Sequence, residues 1–273
     1  MPFSSETAST GERAGAGDAA AAHTLVETAA DVLERLRARR PRVHCITNTV
    51  AQTYTANLLL AAGAVPSMTI AADEVAAFVT GADALVINIG TLDETRRAAI
   101  GIAIDAACEH EVPWVLDPVF VDRSPARASF GQALLAMRPA AMRLNQAEFA
   151  TLSGAAPEPA AIARFARDSQ AVIALTGETD LVAGPERLVA VANGHRWMAR
   201  ITAMGCAGAA LVAACRAVEP DAWRATVAAL VCLGVAGERA AVVSAGPGTL
   251  ATAILDALFD LDREDLHERA RVS

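Results

Sequence analysis

The chain has 273 residues, of which 53% are hydrophobic and 20% charged, enough apolar material for one core of a large α/β domain. Its 23 basic and 31 acidic residues give a net charge of −8, which excludes the basic field by which nucleic-acid-binding proteins gain affinity. Five scattered cysteines (Cys45, Cys108, Cys206, Cys215, Cys232) lack metal-site spacing and are odd in number, so they fit a reducing cytosol and neither structural zinc nor a disulfide framework.

Residues 1–23 are rich in Ala, Gly, Ser, Thr and Glu without an apolar period, and read as a disordered tail with no signal-peptide pattern. From Thr24 the apolar residues Leu25, Val26, Ala29, Val32, Leu33 and Leu36 recur at helical spacing. Short β-like runs then alternate with helical ones. Arg42–Ile46, Val65–Ile70, Ala84–Ile89, Trp114–Leu116, Ala141–Leu144 and Val172–Leu175 read as strands. Helices are expected over Val50–Ala62, closed by Gly63, over Thr91–Glu111, and from Gln146.

Apolar strands that do not alternate, each followed by a helix, predict a mostly parallel sheet covered on both faces, an α/β domain over residues 24–265. Around Asn193-Gly194 an antiparallel hairpin is expected between Asp180 and Ala199. Helices over Ala207–Val218, Ala222–Ala240 and Pro247–Leu261 follow, then a C-terminal tail over 266–273. The longest apolar run in the C-terminal half, Val227 to Gly237, reads as too short for a membrane span and is stopped by Glu238 and Arg239. The expectation is a soluble cytoplasmic protein.

In folds of this class ligands bind beyond the carboxyl ends of the strands. Polar residues stand at several of those ends: Thr47-Asn48, Asn88, Asp117, Asn145 and Thr176. The stretch ITAMGCAGAAL, Ile201 to Leu211, places Gly205 and Cys206 where a helix opens, and free N–H groups there suit a phosphate. Gly205 permits close backbone approach. Cys206 is either a small buried hydrophobe or a thiol whose pKa the helix terminus lowers. Asn145-Gln-Ala-Glu148 is either a helix cap or an amide and carboxylate suited to magnesium. Asp117, halted by Pro118, stands near phosphates or metal, or ties down a loop; Thr176 offers a hydroxyl to a phosphate, or only a turn.

In their order these segments resemble the hydroxyethylthiazole kinases of the ribokinase-like superfamily. The likeness runs through HCITNTVAQTYTANLLLAAGAVPSM (His44 to Met68), ALVINIGTL, VLDPV, RLNQAEFATLSG, IALTGETD and the NGH…ITAMGC run. The resemblance implies a three-layer ribokinase-like fold and transfer of the ATP γ-phosphate, with Mg²⁺, to the primary alcohol of 4-methyl-5-(2-hydroxyethyl)thiazole. It also implies a homotrimer with active sites between subunits. Carried over by position, Met68, with Asn48 and Ala203, serves the thiazole; Arg127, Thr176 and Gly205 serve ATP. Glu148, supported by Asn145 and Asp117, organises magnesium, and Cys206 is a modest general base. The family's loop is commonly Thr-Gly-x-Gly-Cys, whereas Ala203 stands here in place of the first glycine, a strained choice if positive φ is required. Alternatives are a hydroxymethylpyrimidine or pyridoxal kinase, or an ATP- or ADP-dependent dehydratase of the same fold.

Overall fold

A computed structural model describes the backbone of residues 10–273 and the side chains of residues 20–273. Helix α1 spans Thr10–Arg39 and buries a stripe of Val26, Ala29, Ala30, Leu33 and Leu36. Its start corrects the expectation of an irregular tail over 1–23. The alanines between Ala14 and Ala22 carry no apolar period, but they are the strongest helix formers and extend the amphipathic part backwards. Residues 1–9 of the expected tail lie outside the described residues.

Eight strands form one sheet: β1 (Arg42–Ile46), β2 (Val65–Ser67), β3 (Ala84–Asn88), β4 (Trp114–Asp117), β5 (Ala141–Asn145), β6 (Val172–Thr176), β7 (Asp180–Ala183) and β8 (Leu188–Val191), in the order β2-β1-β3-β4-β5-β6-β7-β8. The first six in that order are parallel, and β7 and β8 add an antiparallel hairpin at the edge. The mostly parallel sheet is as expected. Successive residues of one strand enter opposite layers because the side-chain period is two. Val43, Ala84, Val86, Val115, Ala141 and Ala174 pack on the layer that holds α1, α2 (Gln52–Ala62), α8 (Met204–Arg216), α9 (Ala222–Val243) and α10 (Pro247–Phe259). Leu85, Ile87, Leu116, Met142, Leu144 and Ile173 pack on the other layer, with α3 (Val75–Thr80), α4 (Glu94–Glu109), α5 (Pro125–Leu135), α6 (Gln146–Ser153) and α7 (Pro159–Ser169). Small strand residues meet the alanines of α8 on the first face, so that helix lies close to the sheet and its N-terminus reaches the strand ends.

Three expectations are corrected. The hairpin turns at Gly184–Arg187, where Gly184 N–H donates to the Arg187 carbonyl at 2.7 Å, and not at Asn193-Gly194. Asn193 is instead buried beyond β8, donating to Glu238 and to the Arg269 carbonyl. The C-terminal residues are no loose tail: α11 (Arg263–Arg269) is followed by a bridge beside β8, with Ser273 N–H donating to the Ala190 carbonyl at 3.0 Å. Helix α9 runs through Glu238 and Arg239 to 22 residues, long and apolar enough by composition to cross a membrane, but its most apolar window is 72% buried within the fold. It is the central helix of its layer, which explains the hydropathy.

Candidate active site

Along the carboxyl edge of the sheet the polar strand ends join into one network. Asn48, just past β1, donates through Nδ2 to Asn88 Oδ1 at 3.2 Å and lies 3.2 Å from the Cys206 sulfur. Asn88, ending β3, donates to Asp117 Oδ2 at 2.5 Å, and Asp117 ends β4. The remaining acceptors are also used: Asn48 Oδ1 takes the Ala51 N–H and Asn88 Oδ1 the Gly90 N–H. A Cβ on Gly90 would stand 2.9 Å from that of Asn48, so a glycine lets the chain turn over the two amides. These side chains are buried, and the network fixes a carboxylate and a thiol against one another across three strands.

The thiol belongs to the first turn of α8. Ala203 caps that helix in the left-handed region, at φ 72°, so the loop does require positive φ and alanine pays conformational strain there. Among the described residues no acceptor faces the N–H groups of Gly205 or Cys206, which leaves two donors at a positive helix end free for an anion. The expected lowering of the Cys206 pKa is overturned. Burial, reinforced by the Asp117 charge, pushes the thiol up to about 12, outweighing the amide contacts and Arg143. At neutral pH it is a thiol.

Asp117 is pushed up to about 6, first by burial, with Arg143 opposing and Glu148 adding to the rise. Glu148 is raised by burial against its hydrogen bonds. Its two oxygens accept the N–H groups of Asn145 and Phe120, both at 2.9 Å, while Asn145 Oδ1 accepts the Glu148 N–H at 3.0 Å. The capping reading of Asn145 and Glu148 is thus realised, and it leaves Asn145 holding Glu148 in place. Glu148 nonetheless disfavours the charge of Asp117, and Asp122 that of Glu148, so burial and neighbouring carboxylates both raise the two groups.

Arg143 is the residue that sequence reasoning missed. It is an arginine inside an otherwise apolar strand, and that oddity was the available signal. It lies against the start of α8, where a Cβ on Gly205 would come 2.7 Å from its Nη1 and one on Gly208 3.3 Å from its Nε. That Nε is buried with no partner among the described residues. The guanidinium favours the charged forms of Asp117, Glu148 and Asp180.

Arg143, Thr176 and Gly205 open onto a cleft of about 960 Å³ that continues between the Asn193–Ile201 segment and Leu230, Leu233 and Gly234 of α9. Arg127 is not part of its wall; it sits on α5 with its guanidinium on the Val119 carbonyl at 3.1 Å. Met68 follows β2 at the opposite end of the sheet edge and packs, half-buried, on the core.

The model of the hydroxyethylthiazole kinase family matches residues 33–264. The chain belongs to that family. It is 45% identical over 243 residues to the hydroxyethylthiazole kinase of Cronobacter sakazakii, covering 84% of this chain and 92% of that enzyme. Against the enzyme of the same name from Granulibacter bethesdensis the identity is 42% over 262 residues, covering 90% and 95%. The solved structure of the hydroxyethylthiazole kinase protein from Pyrococcus horikoshii OT3 superposes with a TM-score of 0.87 at 36% identity, covering 90% of this chain and 98% of that one. A Bacillus subtilis pyridoxal kinase bound to ADP, at 16% identity and a TM-score of 0.56, shares the fold. The three-layer ribokinase-like architecture expected from the resemblance is therefore the one present.

Proposed function

We propose that this member of the family transfers the γ-phosphate of ATP to the primary hydroxyl of 4-methyl-5-(2-hydroxyethyl)thiazole, giving the thiazole phosphate for thiamine synthesis. The observation that carries the reading is the meeting of Asp117 and Arg143 at the Cys206 thiol, on the first turn of a helix whose Gly205 and Cys206 N–H groups have no acceptor among the described residues. Phosphoryl transfer asks for positioning and charge neutralisation rather than covalent catalysis. Arg143 and the Gly205 and Cys206 N–H groups supply fixed positive charge where the transferred phosphoryl gains negative charge. Thr176 offers its hydroxyl to the nucleotide phosphates, and the cleft beside α9 takes the base and ribose. Arg143 replaces Arg127 in this reading as the arginine on ATP.

A magnesium ion fits the residues present: Asp117 and Glu148 are oxygen donors whose charged forms burial disfavours, a cost that a divalent cation relieves. When bound, it would neutralise phosphate charge. Asn145 holds Glu148 ready. Asn48 and Ala203 border the acceptor side, with Met68 beyond. Cys206 then has a limited role. With its pKa near 12, Cys206 is protonated at pH 7, so it chiefly orients the alcohol, and only its scarce thiolate form takes the hydroxyl proton as the P–O bond to the alcohol forms and the bond to ADP breaks.

Exposed apolar side chains at Val50, Leu60 and Val65, on the acceptor side, support burial against further copies in a cytoplasmic homotrimer with sites between subunits. Sedimentation giving three times the chain mass is the expected result.

The test is ATP- and Mg²⁺-dependent phosphorylation of hydroxyethylthiazole beside hydroxymethylpyrimidine and pyridoxal. Product on the thiazole alcohol, slowed about 10- to 100-fold by Cys206→Ser, is expected. Preferential phosphorylation of another alcohol, or ATP binding with no product, overturns the reading.

A further inference from the structure

Far from the strand ends, α1 and α11 bring three metal-ligating side chains together. His23 and Glu27 are one turn apart on α1, and His267 comes from α11 at the other end of the chain. Glu27 Oε1 lies 3.1 Å from His267 Nε2 and 3.8 Å from His23 Nε2, and all three donor atoms fall within 4.8 Å of one another. Two donors, each about 2.1 Å from a tetrahedral ion, are separated by roughly 3.4 Å, a value that the two distances bracket.

Hydrogen bonding does not account for the arrangement. The His23 contact is too long for one, and neither histidine has a hydrogen-bond partner among the described residues, although His267 is near enough. The ring nitrogens converge on a shared space beside the carboxylate oxygen.

The surroundings orient that oxygen. Arg263 binds the other oxygen of Glu27, Oε2, at 2.6 Å, leaving Oε1 toward the histidines. The same guanidinium is matched by Asp31 at 2.6 Å and by Glu34 at 3.0 Å, so the patch keeps an excess of negative charge despite the arginine. A carboxylate ligand steadied by a neighbouring donor is the usual outer arrangement of a built metal site.

We propose that His23, Glu27 and His267 form a binding site for a zinc-type divalent transition ion, with water completing the coordination. Two imidazoles and one carboxylate select Zn²⁺ over Mg²⁺, which prefers oxygen donors and keeps its water. Bound there, the ion ties the first described helix to α11, whose continuation pairs with β8. It acts on the stability of this terminal packing and not on phosphoryl transfer.

The experiment uses the full chain without a histidine tag, titrated with ZnCl₂ by calorimetry and followed by thermal melting. Cys108→Ser with His110→Ala serves as the background, because both are exposed and offer a second surface site. The expected result is one Zn²⁺ per chain with a Tm rise of a few degrees in excess metal. His23→Ala and His267→Ala each weaken binding at least about tenfold and remove the Tm rise, while Mg²⁺-dependent kinase turnover without zinc stays unchanged. Zinc binding that survives the double histidine substitution, or none at 0.1 mM metal on the order of a hundred times a micromolar Kd, overturns the proposal.

Discussion

Arg143 and Arg263 each face three carboxylates. Arg143 stands before Asp117, Glu148 and Asp180, and Arg263 before Glu27, Asp31 and Glu34. Counted as ion pairs, Arg263 has the better set, with contacts of 2.6 to 3.0 Å. Yet its partners are open to water, which screens each pair and leaves it little net effect. Among the described residues Arg143 makes no such contact and its Nε has no partner, but it lies against two glycines of α8. It is half-buried there, so its field on the carboxylates and on an incoming anion is less screened than that of an exposed pair. The proposed site is where burial disfavours charge, at Asp117 and Glu148, and the water-screened pairs are on the surface.

The largest effect that tests this contrast is Arg143→Ala. It is expected to lower kcat/KM about 10²- to 10³-fold, the range for removing a fixed donor to developing charge, while circular dichroism shows an intact fold. Arg127→Ala is expected to change it only a few-fold, because that guanidinium is engaged with the Val119 carbonyl. The reverse order of the two variants would return the ATP contact to Arg127.

These two arginines also show what was legible in the sequence. The strand ends were: Asn48, Asn88, Asp117 and Thr176 can be read as polar punctuation after apolar runs, and the structure puts them on one edge. Arg143 was not, since inside Ala-Met-Arg-Leu-Asn it breaks the pattern of a strand without marking an end. Its meaning depends on Gly205 and Gly208, more than sixty residues away. Cys206 was legible as a position but not as a state, because the burial that raises its pKa is a property of the assembled fold. The Asn193-Gly194 signal misled for a related reason: its local turn preference was overridden by Asn193 packing against Gly234, where a Cβ would stand 2.6 Å away. Helices α5 and α7 do carry local marks, Pro125 and Pro159 at their first positions.

A second buried and exposed contrast lies among the histidines. His44 is fully buried, its Nδ1 2.8 Å from Ser67 Oγ and its Nε2 3.0 Å from the Thr69 carbonyl, whereas His23 and His267 are exposed. Burial lowers its pKa below 6.5, with the Thr69 carbonyl and Glu74 opposing. As pH falls through 6.5 the unfolded chain takes up a proton that the native chain refuses. The stability His44 contributes is therefore present above that pH and lost below it. Melting curves between pH 5 and 8, on the order of one unit either side of an ordinary histidine, are expected to show Tm dropping on the acid side. His44→Gln is expected to flatten that drop, and an unchanged slope would assign it to other groups.

Ala203→Gly sharpens the strain argument at the α8 terminus. With Ala203 at φ 72°, glycine relieves the Cβ conflict, and a gain of about 1 kcal/mol in stability is expected from chemical unfolding. The gain is small beside the Arg143 effect because one residue's backbone preference is at stake and no charge. If Ala203→Gly is neutral in stability but raises KM for the thiazole alcohol, the methyl group serves as a substrate contact, and strain is the lesser part of its role.

Arg263→Ala completes the series from the exposed side. Without added metal its Tm and kinase turnover are expected to match the parent within scatter, although three carboxylates lose their shared partner. These carboxylates are 40 to 60% exposed and regain water as the arginine leaves, so little unmet solvation remains. In zinc the same variant gives a sharper reading. Removing the positive charge strengthens the attraction for a cation, but it also frees Glu27 to turn away from the histidines. Weaker zinc binding in Arg263→Ala means that the guanidinium chiefly orients the ligand. Tighter binding means that its charge was the larger influence, and that the Glu27 geometry is held by α1 itself.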